Sequence, residues 1–299
     1  MKNHALCLLL LTSIITLSAA EKKLVIIAGK QSHPPLMHEF RAGSLILEKC
    51  LRSVPGLKVE VHTNHWVSDD KTLEDADAIF IYSDGRKGHP AVQGDHLQLL
   101  TRLIAKGIGF GCAHYAVEVD PAQAGEQFKA WIGGHYENAY SVNPMWKPDF
   151  KSFPKHPITQ GVKPFKVTDE WYFNMRFREG MKGVTPILVA KPSDDVRDGP
   201  YVYPKGPYPH IVSAGGRDET MMWAVERPDG GRGFGFTGGH HHLNWGNDNF
   251  RKVVLNALLW IAKVDVPKHG VQSRVTENEL YQNLEPKKGL AEILRARKK

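Results

Sequence analysis

Three consecutive histidines are the strongest candidates for chemistry in this sequence: His240, His241 and His242. They follow a run at residues 233–237 that is typical of a strand, and an amphipathic helix pattern comes after them. In an extended chain side chains alternate between faces, so His240 and His242 should point together while His241 points away. Such a pair can present two imidazoles to one metal ion or one substrate, although a loop histidine can also simply bond to backbone or face solvent.

Alternating strands and helices must position these residues. Apolar runs predict strands at residues 24–28, 57–62, 78–82 and 108–112, and amphipathic patterns predict helices at 38–53, 94–106 and 249–262. The fold predicted is α/β, with a doubly wound, mainly parallel sheet. Further strands are predicted at 167–172, 185–190 and 221–226, and the Pro/Gly/Tyr loop 197–209 could cover a pocket.

Several polar residues follow the ends of these predicted strands. The carboxyl ends of parallel strands share one edge of a sheet, where α/β proteins form their binding sites. We therefore expect one site at this edge, drawing on His33, His38, Asp84, His89, His114, Glu118, His240 and His242.

The first twenty residues have the pattern of a signal peptide rather than of a folded element. Lys2 supplies a positive start, residues 5–17 are apolar, and Ser18-Ala19-Ala20 supplies small residues for cleavage. We expect export to the periplasm or the extracellular space, an α/β domain over residues 21–263 and a tail over 264–299, either a strap or an oligomer contact. No later segment has the ~20 apolar residues of a membrane span.

Composition excludes some partners. The net charge of +7 is dispersed, so we expect no nucleic-acid partner. Cys50 and Cys112 lie in apolar patterns and are expected to be buried hydrophobes, with a disulfide between them as the lesser alternative.

Four segments, in order, resemble motifs of the ThuA-like trehalose-utilisation family, and the resemblance covers about residues 24–263. They are Gly107-Ile108-Gly109-Phe110-Gly111-Cys112-Ala113-His114, His156-Pro157-Ile158-Thr159-Gln160-Gly161 followed by Asp169-Glu170-Trp171-Tyr172, Gly231-Arg232-Gly233-Phe234 running to Gly239-His240, and Asn256-Ala257-Leu258-Leu259-Trp260. The Ser32-His33 and His114-Tyr115 segments resemble the family's exported branch.

The resemblance implies a flavodoxin-like fold related to class I glutamine amidotransferases. In those relatives a cysteine elbow follows a strand, whereas here His114 stands at the nucleophile position and Cys112 lies two residues earlier. The resemblance also implies substrates derived from disaccharides and a link to 3-keto sugars, in which a C3 ketone acidifies the C2 proton. Cleavage of the glycosidic bond would then follow by elimination or by hydrolysis, and no nucleotide cofactor is expected.

Proton abstraction beside a carbonyl needs a base and an electrophile that holds the developing charge. We expect His38, His240 and His242, with His33 in reserve, to bind a divalent metal such as zinc. Glu170 or His114 is expected to be the base and the other to orient the substrate; Glu118 and Asp169 are further candidate carboxylates. Tyr115, Trp171, Tyr172, Trp245, Asn244 and Arg176 are expected to bind the sugar, with core packing, a helix cap or an ion pair as alternatives.

Two other functions remain open from the sequence. A noncatalytic sugar-binding protein would need aromatic and amide contacts but no clustered imidazoles. A cysteine hydrolase or amidase would need Cys112 exposed beside a histidine.

Overall fold

The structure is a computed structural model, and it describes residues 20–63 and 65–297. The predicted signal peptide lies, apart from Ala20, outside the described residues. Within the described residues, none of the helices has the length and apolar character needed to cross a membrane.

Eleven strands and nine α-helices are present in the described residues. The strands are β1 Lys22–Ala28, β2 Leu57–His62, β3 Ala78–Tyr82, β4 Gly109–Ala113, β5 Gly134–His135, β6 Met145–Trp146, β7 Asp169–Glu170, β8 Arg176–Phe177, β9 Val184–Ala190, β10 Glu219–Glu226 and β11 Arg232–Phe236. The helices are α1 Phe40–Leu51, α2 Lys71–Glu74, α3 His96–Ile104, α4 Glu126–Ile132, α5 Asp194–Asp198, α6 Pro209–Val212, α7 Asp248–Ile261, α8 Glu277–Leu280 and α9 Leu290–Arg297.

The main sheet has the strand order β2-β1-β3-β4-β11-β10-β9. The first five strands pair in parallel, and β10 runs antiparallel to both β11 and β9. The predicted α/β fold with a mainly parallel sheet is confirmed. The carboxyl ends of β1, β3, β4 and β11 lie along one edge, so the loops after them meet there.

Both faces of the sheet are covered, which explains why the central strands β3 and β4 are apolar and buried along their whole length. Alternate residues of β1 point to opposite faces: Leu24 and Ile26 pack in a core with α1 and α7, and Val25 and Ile27 pack in a second core with α3 and α4. This burial fixes the register of the central strands, because a shift by one residue would exchange the two faces.

The segment around residues 167–172 departs from the predicted six-residue strand. Only Asp169 and Glu170 form a strand, paired with Met145 and Trp146. The Asp169 carboxylate accepts hydrogen bonds from the backbone N–H groups of Gly239 at 2.9 Å and His240 at 3.0 Å. This segment therefore docks across the end of the main sheet instead of joining it as a strand.

Candidate functional site

The histidines at the sheet edge sit on unusual backbone. His33 and His38 follow β1 and His114 follows β4, and their φ angles are 59°, 49° and 55°. This left-handed region is uncommon for residues with a Cβ and costs free energy, so it persists only where the surroundings impose it. At this edge the tertiary structure therefore imposes the backbone conformation of three histidines, and with it the direction of their side chains.

Four ligating atoms converge at this edge. Nε2 of His38 lies 2.9 Å from Nδ1 of His240 and 3.0 Å from Nε2 of His114. Oε2 of Glu170 lies 2.7 Å from Nδ1 of His240 and 3.5 Å from Nε2 of His114. All four side chains are buried. Residues from four separate parts of the chain thus meet at this edge, whereas His89, also expected there, is buried apart from them with Nε2 2.9 Å from the Ala116 carbonyl.

Hydrogen bonds at Nδ1 determine the tautomers of the neutral His114 and His38 rings. Nδ1 of His114 lies 3.0 Å from the Thr237 carbonyl, which can only accept, so this nitrogen carries a hydrogen. Nδ1 of His38 lies 3.1 Å from Oδ1 of Asp84 and donates to that carboxylate in the same way. In the neutral rings both Nε2 atoms then present bare lone pairs to each other, and either a proton on one of them or a metal ion between them removes this repulsion.

The donor set fits a divalent metal. Around a tetrahedral zinc ion with bonds of about 2.0–2.1 Å, neighbouring ligand atoms are about 3.3 Å apart. The four separations given above, 2.7–3.5 Å, are close to that value, and all four atoms lie within 4.8 Å of one another. A histidine whose other nitrogen donates to a carboxylate or backbone carbonyl is the usual arrangement around a bound metal, because that bond fixes the tautomer and raises ligand basicity.

The charges in the group also favour a cation. Burial raises the pKa of Glu170, but hydrogen bonds and charges from His114 and His240 outweigh it and lower the pKa to about 2. Burial lowers the pKa of His114, and the Glu170 carboxylate reverses this and raises it overall. Burial lowers the pKa of His38 well below its ordinary value, so that ring is neutral. A buried anion among imidazoles requires one compensating positive charge, supplied by a proton or a metal.

A pocket of about 210 Å³, open to solvent, lies over this group. Its walls include His33, His38, Glu170 and His240, and its remaining lining residues are Arg86, Tyr115, Glu118, Asn143, Tyr172, Val202 and Tyr203. The predicted covering loop is part of this wall through Val202 and Tyr203. Asn143, which the sequence analysis did not single out, donates from Nδ2 to Oε1 of Glu170 at 2.7 Å.

Glu118 is a carboxyl group in the wall of the pocket. It is buried, and Nε of Arg86 lies 3.6 Å from its Oε1. Burial raises the pKa of Glu118 to about 8, although the Arg86 charge acts in the opposite direction. A carboxyl with a pKa near neutrality in a pocket can both accept and return a proton.

The expectation that His240 and His242 point together is wrong. The chain turns into a short 3-10 helix, His242–Gly246, so the two-residue alternation ends before His242. Its ring is buried elsewhere, and Nε2 lies 2.8 Å from the Leu280 carbonyl of the tail. Burial lowers the pKa of His242 to about 4, so the neutral ring donates this bond.

The aromatic residues expected to bind sugar divide into two groups. Tyr115 and Tyr172 line the pocket, and the Tyr172 hydroxyl lies 3.2 Å from Nε2 of His114. Trp171 and Trp245 are wholly buried and both contact Phe250 in the core. Their large apolar surfaces make core packing the stronger driving force, so neither reaches the pocket.

Three other candidates take positions outside the converging group. Arg176 pairs with Glu137 and stacks over the Tyr140 ring at 3.3 Å. Asn244 donates to Oδ2 of Asp169 at 3.0 Å and so supports the carboxylate that holds the His240 backbone. His33 lies in the pocket wall and stacks on the His38 ring at 3.5 Å.

Cys112 does not meet the requirement for a cysteine nucleophile. It is wholly buried within β4, and burial raises the pKa of its thiol well above the ordinary value. Two residues apart in an extended strand, Cys112 and His114 would face the same side, but the left-handed backbone at His114 ends that alternation. Cys50 and Cys112 are both free thiols.

Comparisons with known proteins agree with this architecture. The family model described as ThuA, trehalose utilisation, matches residues 26–261. A ThuA-like protein from Bacteroides uniformis superimposes with a TM-score of 0.54 at 15% identity over 86% of this chain and 96% of that chain. One from Parabacteroides merdae gives 0.53 at 14% identity, over 87% and 94%. A search of curated proteins finds no significant match. The extent of the family match shows that the chain belongs to the ThuA family of trehalose utilisation.

Proposed function

We propose that this protein is an exported enzyme that acts on the 3-keto form of a glycoside by proton abstraction and elimination. The observation that carries the proposal is the convergence of three imidazole nitrogens and one carboxylate oxygen on a pocket of sugar size. The family's association with trehalose use supports a carbohydrate as substrate.

His38, His114, His240 and Glu170 are the residues that would hold a divalent metal. Bound there, the metal would supply a Lewis acid that polarises the substrate's C3 carbonyl. This changes the roles expected for His114 and Glu170, since both direct their ligating atoms into the group. Neither is then free to serve as the base.

Sugar recognition falls to the pocket wall. Tyr115 and Tyr203 offer rings for the C–H faces of a sugar, and Tyr203 is 63% exposed. Arg86 and Asn143 offer donors to hydroxyl oxygens. This mixture of aromatic rings and a few directional donors is typical of small-molecule sites.

Glu118 is the proposed proton-transfer group. Its carboxylate takes the proton from C2, the C1–C2 double bond forms, and the C1–O bond breaks with its electrons passing to the leaving oxygen. The protonated Glu118 then returns its proton to that oxygen, so atoms and charge balance. A pKa near 8 suits both halves of this transfer.

The test incubates the protein in D2O with a 3-keto-disaccharide and with its unoxidised parent, and follows deuterium at C2. We expect exchange and cleavage of the keto form alone, with loss of both in Glu118→Gln. Hydrolysis of the unoxidised parent at a similar rate would contradict the elimination mechanism.

Two outcomes would favour the other functions. Binding of both sugars without exchange or cleavage favours a sugar-binding protein. Turnover of an amide that Cys112→Ser abolishes favours a cysteine hydrolase, which the burial of Cys112 argues against.

A further inference from the structure

Lys287, in the C-terminal tail, contacts the backbone of the site residue His38. The segment 277–288, which we call the C-terminal strap, runs past the loop between β1 and α1. Nζ of Lys287 donates to the backbone carbonyls of Met37 at 2.6 Å and His38 at 3.2 Å. The Lys287 side chain is only 2% exposed, although lysine is almost never buried without a specific partner.

That partner is a buried pair of carboxyl groups. Lys287 Nζ lies 3.2 Å from Oε1 of Glu39 and 3.5 Å from Oε2 of Glu285. Glu39 also accepts from the backbone N–H of Leu36 at 2.8 Å and of Glu285 at 2.9 Å. Glu285 in turn accepts from the backbone N–H of Arg41 at 3.0 Å. Together these bonds join the strap to the loop between β1 and α1, which carries His38, and to the start of α1.

The same loop also forms backbone hydrogen bonds with residues 240–242. The His38 N–H donates to the His240 carbonyl at 3.0 Å, and the His242 N–H donates to the Leu36 carbonyl at 2.9 Å. The His242 ring then reaches the strap through the Leu280 carbonyl. The left-handed residues Leu36 and His38 thus both form hydrogen bonds with the backbone of residues 240–242, and His38 also accepts one from the Lys287 side chain of the strap.

We propose that Lys287 is a positioning residue for His38, and that the C-terminal strap completes the site by holding the backbone of Leu36 and of His38 in the left-handed conformation. The ammonium group of Lys287 donates to the Met37 and His38 carbonyls, and it also neutralises the neighbouring Glu39 carboxylate. Without it, His38 retains its ring but loses the backbone geometry that directs Nε2 toward His114 and His240. The part of this proposal that concerns metal affinity rests on the proposed metal centre.

The test compares Lys287→Met with Lys288→Met, since Lys288 is the exposed neighbouring lysine. Zinc affinity is measured by competition with a chromophoric chelator. We expect Lys287→Met to bind zinc about 10- to 100-fold more weakly, as for loss of other outer partners of metal ligands. Lys288→Met should equal the parent protein.

A double-mutant cycle separates positioning from general stability. Lys287→Met should weaken zinc binding in a His114→Ala background but have little further effect in a His38→Ala background, because its action passes through His38. Equal effects in the two backgrounds would overturn the proposal. If Lys287→Met does not fold, Lys287→Gln serves instead, since it removes the charge but keeps a polar side chain in the buried position; parent-like zinc affinity in that variant would also overturn the proposal.

Amide hydrogen exchange keeps the proposal testable if the parent protein binds no zinc. That result would refute the metal centre alone. Faster exchange at the His38 and His242 amides in Lys287→Met, with the His114 to Glu118 amides unchanged, would support the positioning role. Unchanged exchange at His38 in the folded variant would refute it.

Discussion

Nε2 of His38 lies 3.0 Å from Nε2 of His114, and each ring donates its Nδ1 hydrogen to an acceptor behind it. Two neutral imidazoles cannot share a hydrogen bond in this arrangement, because neither facing nitrogen carries a hydrogen. The relationship therefore favours a cation between the rings, and it underlies the predictions about metal binding.

Replacing His240 should affect metal binding, whereas replacing His242 should not. His240→Ala removes a ligating nitrogen and should weaken zinc binding by more than about 100-fold, since loss of an outer partner alone costs about 10- to 100-fold. His242→Ala leaves the Leu280 carbonyl without its donor and should lower the free energy of unfolding by about 1–3 kcal/mol. Zinc titration and urea denaturation of both variants check this; weaker zinc binding in His242→Ala alone would contradict it.

Asp84 should tune the affinity through His38. In Asp84→Asn the ring can still donate to an oxygen, but the acceptor has lost its negative charge, so zinc affinity should fall about 10-fold. Asp149→Asn, which replaces a carboxylate paired with Lys166, is the matched control. Similar affinities in the two variants would argue against an electrostatic role for Asp84.

Glu170→Gln and His114→Ala should separate turnover from sugar affinity. Both change the converging group and leave the aromatic wall intact, so turnover should fall at least about 100-fold while sugar binding changes less. Calorimetric titration with the sugar and steady-state rates provide the comparison. An equal loss in affinity and in turnover would place these residues in ground-state binding instead.

Glu118 should make the stability of metal-free protein depend on pH. Burial raises its folded pKa from 4.5 to about 8. The folded state therefore retains this proton where the unfolded state has lost it, so the stabilisation is fully present below pH 4.5 and is lost as pH rises through 8. At about 1.4 kcal/mol per pKa unit, the loss amounts to about 5 kcal/mol.

Urea denaturation with a chelator present, across this pH range, measures the effect. Glu118→Gln should flatten the decline, and the exposed Glu74→Gln should leave it unchanged. A parallel decline in Glu118→Gln and the parent protein would show that Glu118 is not the group responsible.

Export predicts a processed amino terminus. The charged, apolar and small-residue pattern of residues 1–20 should be removed, so Edman sequencing of the secreted protein should begin at or near Glu21. Recovery of a chain that still begins at Met1 from the cytoplasm would contradict the prediction.

A signature motif need not be a chemical one, and residues 156–161 show why. Nδ1 of His156 accepts from the Ile158 N–H at 3.2 Å, and Asn256 in α7 donates to the Ile158 and Gln160 carbonyls. A side chain at Gly161, where φ is 68°, would meet the His269 carbonyl. These two family motifs dock one loop on α7 and lie outside the pocket lining.

The sequence by itself determined the sheet and the edge at which the site lies. The apolar run at β1 is buried on both faces, and this requirement is local enough to be visible in residue order. The order of the strand ends alone then places His38, His114 and His240 at one edge. The side-chain directions were not determined, because three of the edge histidines adopt left-handed backbone that no periodic pattern predicts.

Only the tertiary structure decided which edge residues meet. His242 turns away at the start of a 3-10 helix, and Trp171 and Trp245 enter the core because burial of their rings outweighs exposure in a pocket. Lys287 lies 249 positions from His38 in sequence and still bonds to its carbonyl. Such contacts depend on the fold of the whole chain. A buried charge pairs with whichever opposite charge lies near it in space, and the spacing of residues along the sequence does not predict that pairing.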